Sequence, residues 1–197
     1  MKMYELKGRE MIFVFTGPDG SGRKTVAEMV GTTLGIKRVI SYSTRAKRPG
    51  ETDGEDYHFI SREQFLDEEQ VGEFLETVRI HNNLYGVKNK DIEQLLLRTG
   101  RIYLILNPEG ADTLKRMYGD QVIRIFIYAD RDTVVLRQRE RQLSEDSIKR
   151  NLLHYDQDMA YEAQCEHAYE NLDLAHTIFA LTNAMEHYLQ RGLLELD

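Results

Sequence analysis

The sequence predicts an α/β fold: a P-loop core with a parallel sheet flanked by helices and one inserted lobe. Three observations lead there. Short apolar runs of buried-strand type alternate along the chain with helical stretches, which implies right-handed crossovers and a sheet covered on both faces. A glycine-rich turn joins the first apolar run to the first helix, the context a phosphate loop requires. Between about residues 44 and 98 the sequence turns charged and mixed in period, which marks an insertion. The expected organisation is a core domain over 1–43 and 99–197, with the inserted lobe over 44–98.

The elements follow in order. "MIFVFT" at 11–16 is a continuous apolar run. Val26, Met29, Val30 and Leu34 then recur at helical spacing, which predicts a helix over 25–34. Short strands are expected at 39–43 and 57–60, with "RPGETDGEDYHF" a turn-rich acidic stretch between them. Core texture returns with "IYLIL" at 102–106, a helix over 109–117, "VIRIFIY" at 122–128 and a helix over 131–141. A longer helix over 146–169, a strand "TIFAL" at 177–181 and a last helix from about residue 183 complete the expectation.

Composition narrows the function. A chain of 197 residues with 41% hydrophobic residues can bury a substantial core. Its net charge of -7 repels a nucleic-acid backbone, so a nucleic-acid partner is not expected, and any polyanion site must be a local basic cluster. Cys165 is the single cysteine, which excludes an internal disulfide and fits a reducing compartment. The N-terminus "MKMYELKGREMIFVF" has an apolar run too short for a signal peptide or a membrane span, so the expected location is cytoplasmic with no membrane partner. The six histidines offer no close pair on one helical face with a carboxylate, so no metal site is expected. Nothing in the sequence speaks to oligomeric state.

The stretch "FTGPDGSGRKTVAE" carries the first chemistry. Gly17, Gly20 and Gly22 allow a turn with positive φ whose N–H groups approach a phosphate, and the following helix aims its N-terminal dipole there. Gly17, Gly20, Ser21, Gly22, Lys24 and Thr25 are the candidate phosphate contacts. Arg23 stands where the loop's lysine is expected and Lys24 where its hydroxyl is expected, with Thr25 one residue late. A helix turns about 100° per residue, so neither Lys24 nor Thr25 replaces its neighbour. Arg23 can still pair with phosphate, whereas Lys24 cannot ligate a cation.

The second constellation is "SYSTRAKRPGETDGEDYHF". Lys37, Arg38, Arg45, Lys47 and Arg48 crowd a short stretch of an acidic chain. By composition alone they form a solvated basic face. However, the cluster begins one strand after the phosphate loop, and a glycine-rich turn brings Tyr57 to it, which points to an anion site.

Together "GPDGSG", "S-x-STR-x-x-RPGE-x-DG-x-DYHF" and "FLETVRIHNNLYG" resemble the guanylate kinase family, from Ile12 to about Leu181. The resemblance implies ATP-dependent phosphorylation of GMP to GDP, Mg²⁺ accompanying ATP, a GMP-binding lobe after the second strand and a short, mobile lid at about 137–150 within the core domain. Position by position it makes Ser41, Arg45, Arg48, Tyr57 and Tyr85 the holders of the GMP phosphate and Glu76 the reader of guanine. Asn107 occupies a guanine-contact position. Arg141 and Arg150 match lid arginines that clamp the transferring group beside Arg23.

The departures gather mostly on the ATP side. Ile105 and Asn107 stand where the family has aspartates, Val87 replaces a hydroxyl near the base, and Asn151 takes a place often held by arginine. The lid is short, and "IFALTNA" lacks the Asn-Asp-Asp-like segment that helps bind adenine. Two readings stand. One is a guanylate kinase of weakened or altered activity. The other is a non-catalytic module that binds GMP, another guanine nucleotide or a phosphorylated protein, as do guanylate-kinase-like domains of membrane-associated scaffolds that also carry arginine in the loop.

Overall fold

A computed structural model describes residues 10–80 and 82–194. The expected domain limits within 1–9 and 195–197, the N-terminal run before residue 10, and His81 of the quoted "FLETVRIHNNLYG" lie outside the described residues.

Strand β1 (Met11–Thr16) enters the glycine loop, α1 (Arg23–Leu34) follows, and β2 (Lys37–Arg38) returns to the sheet. The chain then leaves the core through β3 (Tyr42–Ser43), β4 (His58–Phe59), α2 (Arg62–Gln70), β5 (Phe74–Ile80), β6 (Asn83–Lys88) and α3 (Asn89–Thr99). It re-enters as β7 (Arg101–Ile105), α4 (Pro108–Tyr118), β8 (Val122–Tyr128) and α5 (Arg131–Glu140). Two short helices, α6 (Glu145–Leu152) and α7 (Tyr155–Met159), lead to β9 (His167–Glu170) and α8 (Leu174–Leu194).

The core sheet has the order β2-β7-β1-β8-β9 and every pairing in it is parallel. Alternate residues of one strand face opposite sides, so both faces must be covered. Ile12 and Val14 of β1, with Ile102, Leu104 and Phe126, pack toward α3 and α4. Phe13 and Phe15, with Ile123, Ile125 and Ile127, pack toward α1 and α8. This two-sided burial explains why the strands read as unbroken apolar runs and not as alternating ones.

The inserted segment builds its own sheet, β4-β3-β6-β5, mostly antiparallel. Its small core is aromatic: Phe65 stacks on Phe74 at 4.2 Å between ring centres, and Lys88 lies 4.6 Å over Tyr42. Buried Lys88 is neutralised by Glu73 at 2.8 Å and Glu68 at 2.9 Å. The expected strand over 39–43 divides between the sheets, with Lys37–Arg38 ending in one and Tyr42–Ser43 beginning the other.

Two expectations are corrected. The long helix over 146–169 is broken into α6, α7 and the strand β9, because His167 to Glu170 closes the free edge of β8, pairing Ile125 with His167 and Tyr128 with Glu170. Tertiary pairing here overrides local helix propensity. The strand expected at "TIFAL" is helical and belongs to α8. Its apolar residues Leu181, Met185 and Leu189 fall on one helical stripe against Phe13 and Ile123, and Asp173 caps the helix by accepting from His176 N–H at 2.8 Å.

Candidate functional site

The loop between β1 and α1 takes the shape its glycines allow. Gly17, Gly20 and Gly22 all have positive φ, and a Cβ at Gly17 would collide with the backbone oxygen of Ile127. Gly22 lies immediately before α1, so the helix N-terminus opens onto the loop. Three side chains from distant segments grip the loop's carbonyls. Asn171 donates to Ser21 O at 2.8 Å, Arg137 to the same oxygen at 3.2 Å, and Gln138 to Asp19 O at 3.3 Å. With its carbonyls held outward, the loop is free to turn N–H groups toward an anion. Thr16 Oγ1 at the end of β1 and Ser21 Oγ in the loop are buried with no hydrogen-bond partner in the protein.

Asn171 follows the observed last strand, so the chain does carry an asparagine at the exit from that strand. The absence inferred from "IFALTNA" came from placing the strand too late in the sequence. Arg137 and Gln138 had no individual signal either, since both read as ordinary residues of a charged helix.

Arg23 folds back on the loop, donating to Gly17 O and to Asp19 Oδ1, the latter at 2.8 Å. Lys24 points away from the loop, and its ammonium bonds the Asp56 carboxylate of the inserted segment. Thr25 is exposed on α1. No group of three His, Cys, Asp or Glu suited to a metal ion occurs among the described residues. With lysine at the hydroxyl position and Ile105 and Asn107 in place of carboxylates, these residues do not fit a protein-ligated Mg²⁺.

On the lobe, neighbouring strands bring the phosphate candidates together. Ser43 pairs with Tyr85, Tyr42 with His58, and Tyr57 lies one residue before β4. The Tyr57 and Tyr85 rings are 5.8 Å apart, and the Arg45 guanidinium sits 5.0 Å over Tyr57. Glu51 holds Arg45 by both nitrogens at 2.6 Å and takes the Arg48 N–H at 2.8 Å. Sequence reasoning quoted Glu51 in its motif without giving it a task. Ser41 is buried beside this cluster, its carbonyl accepting from His58 N–H. Burial raises the Tyr85 hydroxyl pKa, although Arg45 pulls against it.

Glu76 lies on β5 with its carboxylate against the first turn of α4, where a Cβ on Gly110 would stand 3.1 Å from it. Pro108 opens that helix and Asn107 caps it, accepting from Gly110 N–H at 3.2 Å. Burial, with Glu109 adding repulsion, raises the Glu76 carboxyl to about 7. Val87, paired with Glu76 across the strands, is fully buried and offers no hydroxyl.

A cleft of about 590 Å³ is lined by Asp19 and Arg23 of the loop side, Arg79 of β5, Asn107 and Glu109 at the start of α4, and Asn151 of α6, whereas Ser41, Arg45, Arg48, Tyr57, Glu76 and Tyr85 are not among the described residues that line it. Arg141 ends α5 and Arg150 lies on α6. Both are exposed and neither lines this cleft. The turn between the helices is pinned by Arg139, which forks onto Glu145 at 2.8 and 3.2 Å.

A glycine loop at the head of a parallel sheet, facing a separate lobe that presents arginine and tyrosine, is the architecture of a P-loop nucleotide phosphotransferase. Comparison with known proteins makes this specific. The model of the family described as guanylate kinase matches residues 9–188, and the chain belongs to that family. The guanylate kinase of Chlorobaculum tepidum is 32% identical over 185 residues, which cover 90% of this chain and 93% of that one. That of Fusobacterium nucleatum is 29% identical over 176 residues, covering 89% and 95%. The crystal structure of guanylate kinase from Anaplasma phagocytophilum matches with a TM-score of 0.70 at 28% identity, covering 92% of this chain and 87% of that one.

Proposed function

We propose that the protein transfers the γ phosphoryl group of ATP to GMP, giving ADP and GDP. A phosphate oxygen of GMP attacks the γ phosphorus, and the bond to the bridging β–γ oxygen breaks as ADP leaves. The observation that carries this reading is the Arg45–Tyr57–Tyr85 cluster on the inserted segment, whose preceding turn is joined through Asp56 to Lys24 beside the glycine loop.

In this reading Gly17, Gly20, Ser21 and Gly22 receive the ATP phosphates through N–H groups and the α1 dipole. Arg23 swings from Asp19 to the transferring group, and Arg141 and Arg150 reach it from the lid segment, 137–150, as that segment closes. Ser41, Arg45, Arg48, Tyr57 and Tyr85 hold the GMP phosphate. Ionised Glu76 accepts from guanine N1–H and its 2-amino group, with Asn107 beside it, and adenine offers neither donor. We take the lobe as 44–98, moving against the core when GMP binds. The donor is ATP in its magnesium complex, a substrate whose ion keeps phosphate and water ligands. Cytoplasmic placement fits the single, free Cys165.

The test is a coupled assay of GMP-dependent ADP formation, run beside calorimetric titration with GMP and AMP. ADP formation that requires GMP, and tighter binding of GMP than AMP, are the expected results. GMP binding without turnover would overturn the kinase reading.

A further inference from the structure

The kinase reading leaves Lys24 without a task, although it occupies the loop's hydroxyl position. Lys24 and Glu28 lie one turn apart on α1, with 3.8 Å between their charged groups. Glu28 also receives Arg38 Nη1 at 3.1 Å. Arg38, at the end of β2, reaches the inserted segment and donates to Glu55 O at 3.4 Å and Asp56 O at 3.0 Å. The Asp56 carboxylate closes the network, taking Lys24 on Oδ1 and Thr52 N–H on Oδ2 at 2.7 Å. Its side chain is only 14% exposed, against 48% for Lys24. The turn held in this way runs directly into Tyr57.

We propose that Lys24 is a positioning residue: paired with Asp56, it ties the turn before Tyr57 to α1 and so sets the GMP-phosphate cluster in place before GMP arrives. This rests on the GMP kinase reading above. The chain has thereby exchanged a hydroxyl on the ATP side of the loop for a grip on the acceptor side. An isolated surface pair contributes little. Here the carboxylate is largely shielded and its second oxygen is already committed, so removing the ammonium leaves a partly buried charge with only the more weakly acting Arg38 nearby. The Lys24 hydrogen bond is also the foremost cause holding the Asp56 carboxyl below its ordinary range.

The test measures GMP affinity by calorimetry, and KM for GMP and for ATP separately, in the full chain and in Lys24→Met, Asp56→Asn, the double variant and Lys24→Arg. Each neutralising single variant should weaken GMP about fivefold, the double variant should lose no more than one single, and KM for ATP should stay near its starting value. Lys24→Arg, which keeps the charge, should retain GMP affinity. Unchanged KM for GMP, additive losses in the double variant, or a loss confined to ATP would each overturn the proposal. Because Lys24 is exposed on a helix, Lys24→Met decides the matter even where Asp56→Asn fails to fold. If the unmodified protein does not bind GMP, the kinase reading falls and this inference with it; GMP binding that none of the variants alters removes the inference alone.

Discussion

Glu51 grips Arg45 as a two-point fork, with both guanidinium nitrogens at 2.6 Å from its oxygens. Such a fork fixes the plane of the guanidinium as well as its place, leaving its remaining N–H edge for a ligand. Glu51→Ala should therefore weaken GMP binding about tenfold, within the range for one charge-assisted hydrogen bond. Calorimetric titration checks it. Tighter binding by the variant would instead make Glu51 a competitor for Arg45 and not its support.

Glu76 sets a pH dependence. Its carboxyl sits at about 7 through burial and the nearby Glu109, and in the proposed reading it is the ionised form that accepts from guanine. GMP affinity should rise as pH increases from 6 to 8, beyond what the nucleotide phosphate's own titration contributes, and Glu76→Gln should remove that excess. The stability sign runs the other way. A carboxyl raised above its unfolded value binds more protons when folded, so stability falls as pH rises through the window between about 4.5 and 7. At pH 8, Glu76→Gln should raise the thermal midpoint, by a contribution of about 1–2 kcal/mol after discounting for partial exposure.

Asp19 holds Arg23 at 2.8 Å inside the loop that is to receive polyphosphate. In the proposed reading its charge repels the ATP phosphates and occupies the Arg23 guanidinium that would receive them. Asp19→Asn should lower KM for ATP about threefold, an amount suited to an exposed pair, and leave KM for GMP unchanged. Initial rates at varied ATP decide the outcome.

Arg124 lies between Glu166 and Asp112, with Lys115 also on Glu166 at 3.0 Å. Burial pushes the Glu166 carboxyl up, but Arg124 and Lys115 outweigh it and hold the group at about 2. A depressed carboxyl contributes stability that is present above its unfolded value near 4.5 and lost as pH falls toward 2. Urea midpoints at pH 7 and pH 3 should differ less in Glu166→Gln than in the parent, by about 2 kcal/mol once the partial exposure of Glu166 is allowed for. Arg124→Met, which strands that carboxylate, should cost about 3 kcal/mol at pH 7.

The core sheet was legible in the sequence because its strands are buried on both faces and so stand out as apolar runs, as in "MIFVFT" and "VIRIFIY". Ser41, Arg45, Arg48 and Tyr57 could be grouped in the sequence because they fall within one contiguous motif, with Tyr85 in a second one, and the structure brings Arg45, Tyr57 and Tyr85 together. What escaped depends on partners far along the chain. His167 to Glu170 is a strand only because the edge of β8 is open beside it. Asn171, Arg137 and Gln138 matter because folding brings them to loop carbonyls more than a hundred residues away in sequence. Lys24 was read as a loop defect, since its partner Asp56 lies on the other lobe.

The place of β1 in the sheet also governs how the chain can be made. Both neighbours of β1 come late, β7 beginning at Arg101 and β8 at Val122. A ribosome therefore releases "MIFVFT" long before any native partner exists for it. Six residues of high β-propensity, uncharged and without proline, wait with both edges open. Closing so distant a pairing is intrinsically slow, and the waiting strand is the segment through which nascent chains would join one another. The topology of the first strand thus makes "MIFVFT" the segment whose exposure during synthesis an expression trial at high concentration should register as aggregation, whatever the stability of the finished fold.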